Sequence, residues 1–351
     1  LMTTGHPRTS AAGAGSGILL PLALVLLLVA AMTIGCAQAP DVSAGDQEAR
    51  FYTHDRFQND PDDFQFAVIG DNSGGTRAGV LGAALDTLNL LRPEFVLGVG
   101  DLIEGYTEDE AELKRQWQAM EDQLALLDMP FFFVPGNHDL NFDPSEAVWF
   151  ERAGAERSYS HFVYRDVMFL LLSTEDPPKR NPTEELSEKY ALIKQGKVGG
   201  EEAMAIVEEL EAWAGAVNIS DAQVEYFRKA LAANPKVRWT FVFMHSPAWA
   251  HADPGNFTKI ESLLEDRPYT VFAGHTHNYD HTVRNGRDYI TMATTGGLSA
   301  ADGSLTKMDH LAWVSMTKDG PEIANVLLNG VMDKQGAVPE LLDFLLYRPR
   351  E

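Results

Sequence analysis

Several apolar segments of this chain end abruptly in Asp, Asn or His, side chains that a buried strand does not normally carry at its end. The polar residues that follow the five segments are Asp71, Asp101, Asn137 with His138, His245, and His275 with His277. Polar groups gathered at strand ends must be satisfied by a partner, and a pair of metal ions would satisfy them.

The side-chain types indicate which ions these residues could hold. Carboxylate, amide and imidazole ligands together suit two divalent or trivalent ions, of which Mn or Fe are favoured and Zn is possible. Two ions that share one carboxylate lie about 3.5 Å apart, an arrangement that supports in-line displacement at phosphorus. One ion would polarise a phosphoryl oxygen, and a hydroxide that bridges both would attack. In open α/β sheets such sites lie beyond the carboxyl ends of the strands, where these residues fall.

Strand-like and helix-like segments alternate through this part of the chain. Near-continuous apolar runs such as Phe64–Ile69 and Tyr269–Ala273 are typical of strands that are covered on both faces. Helices separate them, and one is expected to begin at a capping box formed by Thr107 and Glu110. The alternation predicts an α/β fold with helices on both sides of the sheet. The last strands have no long helices between them, so the sheet should turn antiparallel there.

Residues 175–219 interrupt the alternation. Two helical stretches are predicted there, at about 183–194 and 200–214. The sequence permits two interpretations of this insertion. It is either a helical hairpin packed on the body of the protein or a lid beside the site that selects the substrate.

The five blocks together resemble the calcineurin-like metallophosphoesterase superfamily, the dimetal phosphoesterases. They are DNS at 71–73, GDLIE at 100–104, GNHD at 136–139, HSP at 245–247 and GHTH at 274–277. Their order and spacing agree with the family from residue 64 to about 300. The resemblance implies a four-layer fold, in which α-helices flank two packed mixed β-sheets. It also implies the metal-assisted hydrolysis of a phosphomonoester or a phosphodiester.

The resemblance further implies a role for each residue. The implied ligands are Asp101 as the bridge between both ions, Asp71 and His277 for the first ion, and Asn137, His245 and His275 for the second. His138 would face the leaving-group oxygen, as a general acid or as a stabiliser of charge. Glu104 stands where the family often places an acid that orients this histidine.

The first block departs from the family pattern, because Ser73 stands where a histidine is expected. A serine hydroxyl, or a water held by Asn72 or Ser73, would give the first ion a harder ligand, which favours Mn or Fe over Zn. Gly105 replaces the phosphate-gripping Arg of the protein Ser/Thr phosphatases, and Glu104 replaces the Tyr ligand of the purple acid phosphatases. Two alternatives to an enzyme stay open. One is a degenerate surface module that binds metal or phosphate without turnover, and the other is an α/β scaffold without metal.

The charge of the chain limits its partners. Lys and Arg number 28 against 51 Asp and Glu, which gives a net charge of −23. Nonspecific nucleic-acid binding is therefore not expected. A phosphate-ester substrate would need a local positive centre, such as bound cations. The sequence indicates neither the particular substrate nor the oligomeric state.

The N-terminal 36 residues resemble an export signal. An apolar run of 17 residues, 18–34, precedes Cys36, as at the end of a bacterial lipoprotein signal. We expect an exported bacterial protein, periplasmic or at the cell surface, that is anchored to the membrane by a lipid on Cys36. A retained single-pass anchor is the alternative. Residues 37–63 form an expected acidic tether, and residues 64–351 the metallophosphoesterase domain with its helical insertion at about 175–219.

Overall fold

The computed structural model describes residues 60–140, 143–178, 184–299 and 306–330. The expected export signal with Cys36, and the tether as far as residue 59, lie outside these residues. Within them, no helix combines the length and the apolar character that crossing a membrane requires.

Thirteen strands and seven α-helices form in the described residues. The strands are β1 (Phe64–Ile69), β2 (Val96–Gly98), β3 (Phe131–Phe133), β4 (Ser160–Tyr164), β5 (Val167–Leu171), β6 (Glu175–Asp176), β7 (Asn218–Ile219), β8 (Trp239–Phe243), β9 (Tyr269–Ala273), β10 (Asp280–Arg284), β11 (Arg287–Thr291), β12 (His310–Thr317) and β13 (Gly320–Leu327). The helices are α1 (Val80–Leu91), α2 (Glu110–Leu124), α3 (Asp143–Ala153), α4 (Glu184–Lys194), α5 (Gly200–Gly215), α6 (Asp221–Ala233) and α7 (Phe257–Leu263).

Two large mixed sheets organise the fold. The first has the strand order β13-β12-β1-β2-β3, and the second has the order β10-β11-β9-β8-β5-β4. Strands β1, β2 and β3 are parallel, as are β5, β8, β9 and β11. The expected antiparallel pairing of late strands is confirmed for β12 and β13, whereas β11 pairs in parallel with β9.

The two sheets pack face to face through an aromatic core. The ring of Phe66 on β1 meets the ring of Phe241 on β8 edge-on at 5.0 Å, and that of Phe169 on β5 at 5.3 Å. Burial of each such phenyl group contributes about 1.5–3 kcal/mol. Helices α1, α2 and α3 cover the outer face of the first sheet, and α6 and α7 cover that of the second. The expected four-layer arrangement of two packed mixed sheets flanked by helices is therefore confirmed.

Polar side chains cap the N-termini of α2 and α6, and the cap predicted for α2 is wrong. Ser220 caps α6, because its Oγ accepts from the backbone N–H of Gln223 at 3.1 Å. The cap of α2 is Asp109 and not Thr107, since the Asp109 carboxylate accepts from the N–H groups of the first helical turn. Thr107 instead accepts from the backbone N–H of Asp109 itself. Two neighbouring polar residues could each cap, and the carboxylate also favours the positive end of the helix dipole.

The insertion after β5 contains the two predicted helices as a hairpin. Its ends are held together, because β6 pairs with β7. The ammonium group of Lys189 on α4 lies 3.6 Å from the carboxylate of Glu209 on α5. Leu186 and Ile206 are buried, so each helix turns at least one apolar side chain inward.

Candidate metal centre

The polar strand ends of the two sheets meet at one edge of the sandwich. Strands β1, β2 and β3 lead into Asp71, Asp101 and Asn137, while β8 and β9 lead into the three histidines. Because β1, β2 and β3 are parallel to one another, and β8 is parallel to β9, the carboxyl ends of the strands in each set lie at the same edge of their sheet. The structure brings together the five blocks that the sequence keeps far apart.

Four side chains converge on one centre with their lone-pair atoms facing one another. The Nε2 atom of His245 lies 2.8 Å from Oδ1 of Asn137 and 3.2 Å from Oδ2 of Asp101. The Nδ1 atom of His275 lies 2.9 Å from Oδ1 of Asn137 and 3.3 Å from Nε2 of His245. Ligands at about 2.0–2.2 Å from one ion are about 3.0–3.5 Å from each other in octahedral or tetrahedral geometry. The observed spacings therefore fit the edges of a coordination polyhedron.

The hydrogen bonds of His245 determine which of its nitrogens faces this centre. Its Nδ1–H donates to the carbonyl oxygen of Val99 at 2.9 Å, so Nε2 is the atom presented to the other ligands. Burial by itself lowers the pKa of His245, but the carboxylates of Asp101 and Asp71 raise it to about 10. This fully buried imidazole therefore lies where a positive charge is strongly favoured, and a bound cation would supply that charge.

The candidate ligands of the first ion form another group, which shares Asp101 with the cluster around His245. The ligand atoms of Asp71, Asp101 and His277 all lie within 4.8 Å of one another. Nε2 of His277 is 3.9 Å from Oδ1 of Asp71, while its Nδ1–H donates to the carbonyl of Leu298 at 2.7 Å. The ligand atoms of this group lie farther apart than those of the cluster around His245. The shared carboxylate gives the geometry of two neighbouring cation sites.

Ser73 lies beside the group formed by Asp71, Asp101 and His277. Its backbone N–H donates to the carbonyl oxygen of Asp101 at 3.1 Å, which fixes the first block against the second. Its Oγ atom is buried and has no hydrogen-bond partner. A buried hydroxyl without a partner is unfavourable unless a ligand or a water completes it. The hypothesis that Ser73 contributes an oxygen ligand stays a prediction, and this orphaned atom is consistent with it.

His138 and Glu104 are connected in a way the sequence did not predict. The Nδ1–H of His138 donates to the main-chain carbonyl of Glu104 at 2.6 Å, and Nε2 of His138 lies 3.9 Å from Oδ2 of Asp101. The Glu104 carboxylate accepts instead from the N–H and hydroxyl of Thr76, both at 2.6 Å, and from the N–H of Gly75. Residue 104 therefore fixes the imidazole through its backbone, and its side chain holds the loop that follows β1.

Asp139 is a buried residue of the site that the sequence analysis left without a role. Its carboxylate accepts from the N–H groups of Asp101 (2.9 Å), Leu102 (3.0 Å), Ile103 (3.2 Å) and Gly136 (2.9 Å). Burial, followed by the charge of Asp101, raises the pKa of Asp139 to about 7. The side chain ties the loop of the bridging carboxylate to that of Asn137. The acid that ends the GNHD block was the signal that could have revealed it.

Backbone conformation is unusual at the same place. Among described residues other than glycine, eight have positive φ, and three of them are Asp101 (56°), His275 (73°) and His277 (54°). A fourth is Tyr106 in the neighbouring loop (48°). Such conformations cost of order 1–3 kcal/mol each and persist where the surrounding structure enforces them. Their concentration at these ligand positions indicates that the fold holds these side chains at the expense of stability.

Close glycine contacts also shape the site. A Cβ atom on Gly136 would lie 2.1 Å from Oδ1 of Asp101, and one on Gly274 would lie 2.5 Å from Oδ2 of Asp71. Real Cβ atoms do not approach neighbours so closely. The backbone itself therefore forms part of the wall around the two carboxylates.

Three further histidines lie outside the two ligand groups. His310 is buried and neutral, because its Nε2 accepts from the N–H of Ala293 at 3.0 Å while Nδ1–H donates to Asn325. His281 is exposed on β10 and pairs with Asp288 at 2.8 Å. His161 on β4 contacts the hydroxyl of Tyr226 at 2.7 Å.

The fold and the metal-ligand cluster together are those of a metallophosphoesterase-like protein. Residues 64–279 match the calcineurin-like phosphoesterase family, and the chain belongs to that family. Membership supports metal-dependent hydrolysis of phosphoesters in general and confirms the resemblance seen in the sequence.

Individual relatives are more distant. A probable glycerophosphodiester phosphodiesterase, GpdQ, of Arcobacter nitrofigilis is 29% identical over 105 residues, which cover 29% of this chain and 35% of that protein. The match therefore spans about a third of that relative's length. A dimetal phosphatase from Danio rerio superposes with a TM-score of 0.50 at 15% identity, covering 76% of this chain and 99% of that one. The purple acid phosphatase PPD1 of yellow lupin superposes with a TM-score of 0.50 at 13% identity, covering 79% of this chain and 52% of that one. These two structures are similar in fold.

Proposed function

We propose that this chain is a dinuclear metal-dependent phosphoesterase that hydrolyses a phosphomonoester or a phosphodiester. The observation that carries the proposal is the pair of ligand groups that share the buried Asp101 carboxylate. Two cations bound there would polarise the phosphoryl group and activate the attacking water. Asn137, His245 and His275 would hold one cation, and Asp71 and His277 the other.

The residues of the chain supply the remaining chemistry. Because Nδ1–H of His138 is committed to the Glu104 carbonyl, Nε2 is the atom of this ring that can deliver a proton to a leaving oxygen. A positioned imidazole of this kind contributes about 10²–10⁴-fold to a rate. Oxygen ligands at Asp71, Asp101 and Ser73 favour Mn or Fe at the first position. The similarity to a protein described as a probable glycerophosphodiester phosphodiesterase supports including diesters among the substrates.

The proposal is tested with purified protein, added Mn and two substrates, nitrophenyl phosphate and bis(nitrophenyl) phosphate. We expect hydrolysis of at least one ester and two bound ions per chain, measured by elemental analysis. Asp101→Ala and His245→Ala should abolish hydrolysis and lower the metal content. His281→Ala is the matched control, because this exposed histidine lies outside the cluster and should change neither. Full activity in Asp101→Ala would refute the ligand assignment.

A second candidate is a binding module without turnover. It is favoured by one observation, the serine at position 73 where the family has a histidine. Metal binding without hydrolysis of any ester would support this module. A Ser73→His variant that gains turnover would identify the first block as the cause.

We also propose, from the sequence alone, that the chain is exported and lipid-anchored at Cys36. Mass spectrometry of the mature N-terminus tests this. A lipid-modified Cys36 is the expected result, and an intact start at residue 1 would contradict it.

A further inference from the structure

Tyr106 contacts two of the residues to which the proposed function gives a role. It lies in the loop after β2, five positions beyond Asp101. Its hydroxyl oxygen accepts from Nδ2 of Asn137 at 2.9 Å. Its ring meets the imidazole of His138 edge-on, with the ring centroids 4.5 Å apart and the planes at 84°. One side chain therefore connects a candidate metal ligand to the candidate acid.

The contact with Asn137 determines which end of the amide faces the cluster. An amide carries one oxygen, which can bind a cation, and one NH₂ group, which cannot. Because the phenol oxygen accepts from the NH₂ group, Oδ1 is turned toward Nε2 of His245 and Nδ1 of His275. A rotation of the amide by 180° would present donor hydrogens to the cation position. The hydroxyl of Tyr106 therefore selects the orientation that can bind.

The backbone maintains this contact at a conformational cost. Tyr106 has a φ of 48° and Gly105, before it, has a φ of 54°. A left-handed conformation is a genuine outlier for a bulky residue. The N–H of Gly105 donates to Oε1 of Gln116 on α2 at 2.8 Å, which anchors the turn to a helix.

We propose that Tyr106 is a positioning residue, whose hydroxyl orients the Asn137 amide toward the second cation and whose ring restrains His138. The inference rests on the proposed function, because it assigns Asn137 to a metal site. Removal of a side chain that hydrogen-bonds to a metal ligand typically lowers metal affinity or activity by about 10–100-fold. The two parts of the side chain should have separable effects.

The hydroxyl is tested by measuring Mn affinity of the metal-free protein calorimetrically in two backgrounds. Tyr106→Phe should weaken binding at one site by about 10–100-fold in the otherwise wild-type chain. In the Asn137→Asp background either oxygen of the side chain can face the cation, so the same substitution should weaken Mn binding by less than it does in the otherwise wild-type chain. An equal loss in both backgrounds, or no loss in either, would overturn the orienting role.

Tyr164→Phe is the matched control, because it removes a tyrosine hydroxyl that donates to Glu94 at the surface, 2.8 Å away. It should leave Mn affinity unchanged. The ring is tested by comparing kcat of Tyr106→Leu with that of Tyr106→Phe at saturating Mn. A further fall in kcat in the Leu variant, with a shifted pH profile, supports the contact with His138, and identical profiles would refute it. Wild-type protein that binds no Mn would sink the proposed function itself, whereas normal wild-type binding with an unaffected Tyr106→Phe variant would sink only this inference.

Discussion

Replacement of Gly136 by alanine should test the position of the bridging carboxylate directly. The added methyl group would lie 2.1 Å from Oδ1, 2.6 Å from the backbone nitrogen and 2.9 Å from Cγ of Asp101. Ordinary contacts of a methyl group are longer than about 3.4 Å, so Asp101 or the loop of Gly136 would have to move by about an ångström. The φ angle of Gly136 lies outside the left-handed region, so alanine adds no backbone strain and the effect is steric.

The expected cost follows from the rigidity of the surroundings. The N–H of Gly136 and the N–H of Asp101 both donate to the buried carboxylate of Asp139, which prevents the two loops from separating freely. Overpacking in such a place destabilises by about 1–3 kcal/mol. Because the displaced group is the shared ligand, we also expect Mn affinity to fall by at least about 10-fold, as for other changes that misplace a ligand.

Gly82→Ala provides a control for which the expected change in stability has the opposite sign. Gly82 lies inside α1, and a Cβ there would meet nothing within 4 Å. Alanine should stabilise that helix by about 0.5–1 kcal/mol. Urea unfolding and Mn titration of both variants measure the difference. A Gly136→Ala protein that is as stable as the wild type, with unchanged Mn affinity, would show that the Asp101 carboxylate does not lie against this glycine.

Three further outcomes follow from the structure. His138→Ala should lower kcat by about 10²–10⁴-fold, because it removes the candidate general acid. The metal content should stay unchanged, because the imidazole is in neither ligand group, and a loss of metal would contradict this assignment. Glu104→Ala should lower kcat much less than His138→Ala, since the backbone carbonyl that holds the imidazole remains; equal losses would show that the carboxylate acts on the ring. Burial lowers the pKa of His310 from 6.5 to about 4. As the pH falls, the imidazole of residue 310 is therefore protonated in the unfolded chain before it is protonated in the folded one. The free energy of unfolding should decrease by about 3 kcal/mol as the pH falls from about 6.5 to about 4. Urea unfolding at pH 7.5 and 4.5 should show a smaller loss in His310→Gln than in the wild type, and equal losses would refute the assignment.

Much of the fold could be predicted because its strands are buried on both faces. The predicted strands at Phe64–Ile69 and Tyr269–Ala273 have the predicted bounds. Each is a continuous apolar run, and the aromatic core and the outer helices both require apolar side chains there. The edge strand β10 was missed, because four of its five residues are exposed and carry no such signal.

The candidate site was predictable to the extent that its chemistry depends on residue type. The metal-ligating residues are distinctive side chains at strand ends, so their sequence positions could be recognised. The supporting contacts depend on conformation. Tyr106 reaches Asn137 only through two successive left-handed residues, of which the sequence indicates one, Gly105. The support of His138 by a main-chain carbonyl leaves no trace in any side-chain type.

Burial disfavours the charged forms of two carboxylates at this site, those of Asp71 and Asp139, in the metal-free fold. Asp71, Asp101 and Asp139 are all buried, and burial raises the pKa of Asp71 while the charge of Asp101 adds to that effect. Several anionic groups in one buried place repel one another, and the left-handed backbone at the ligand positions adds strain. A ligand that binds only the folded state stabilises it by about 2.7 kcal/mol at a hundred times its Kd. We therefore expect cation binding to stabilise the folded chain, and the residues that hold the ligands in place to contribute to both binding and stability.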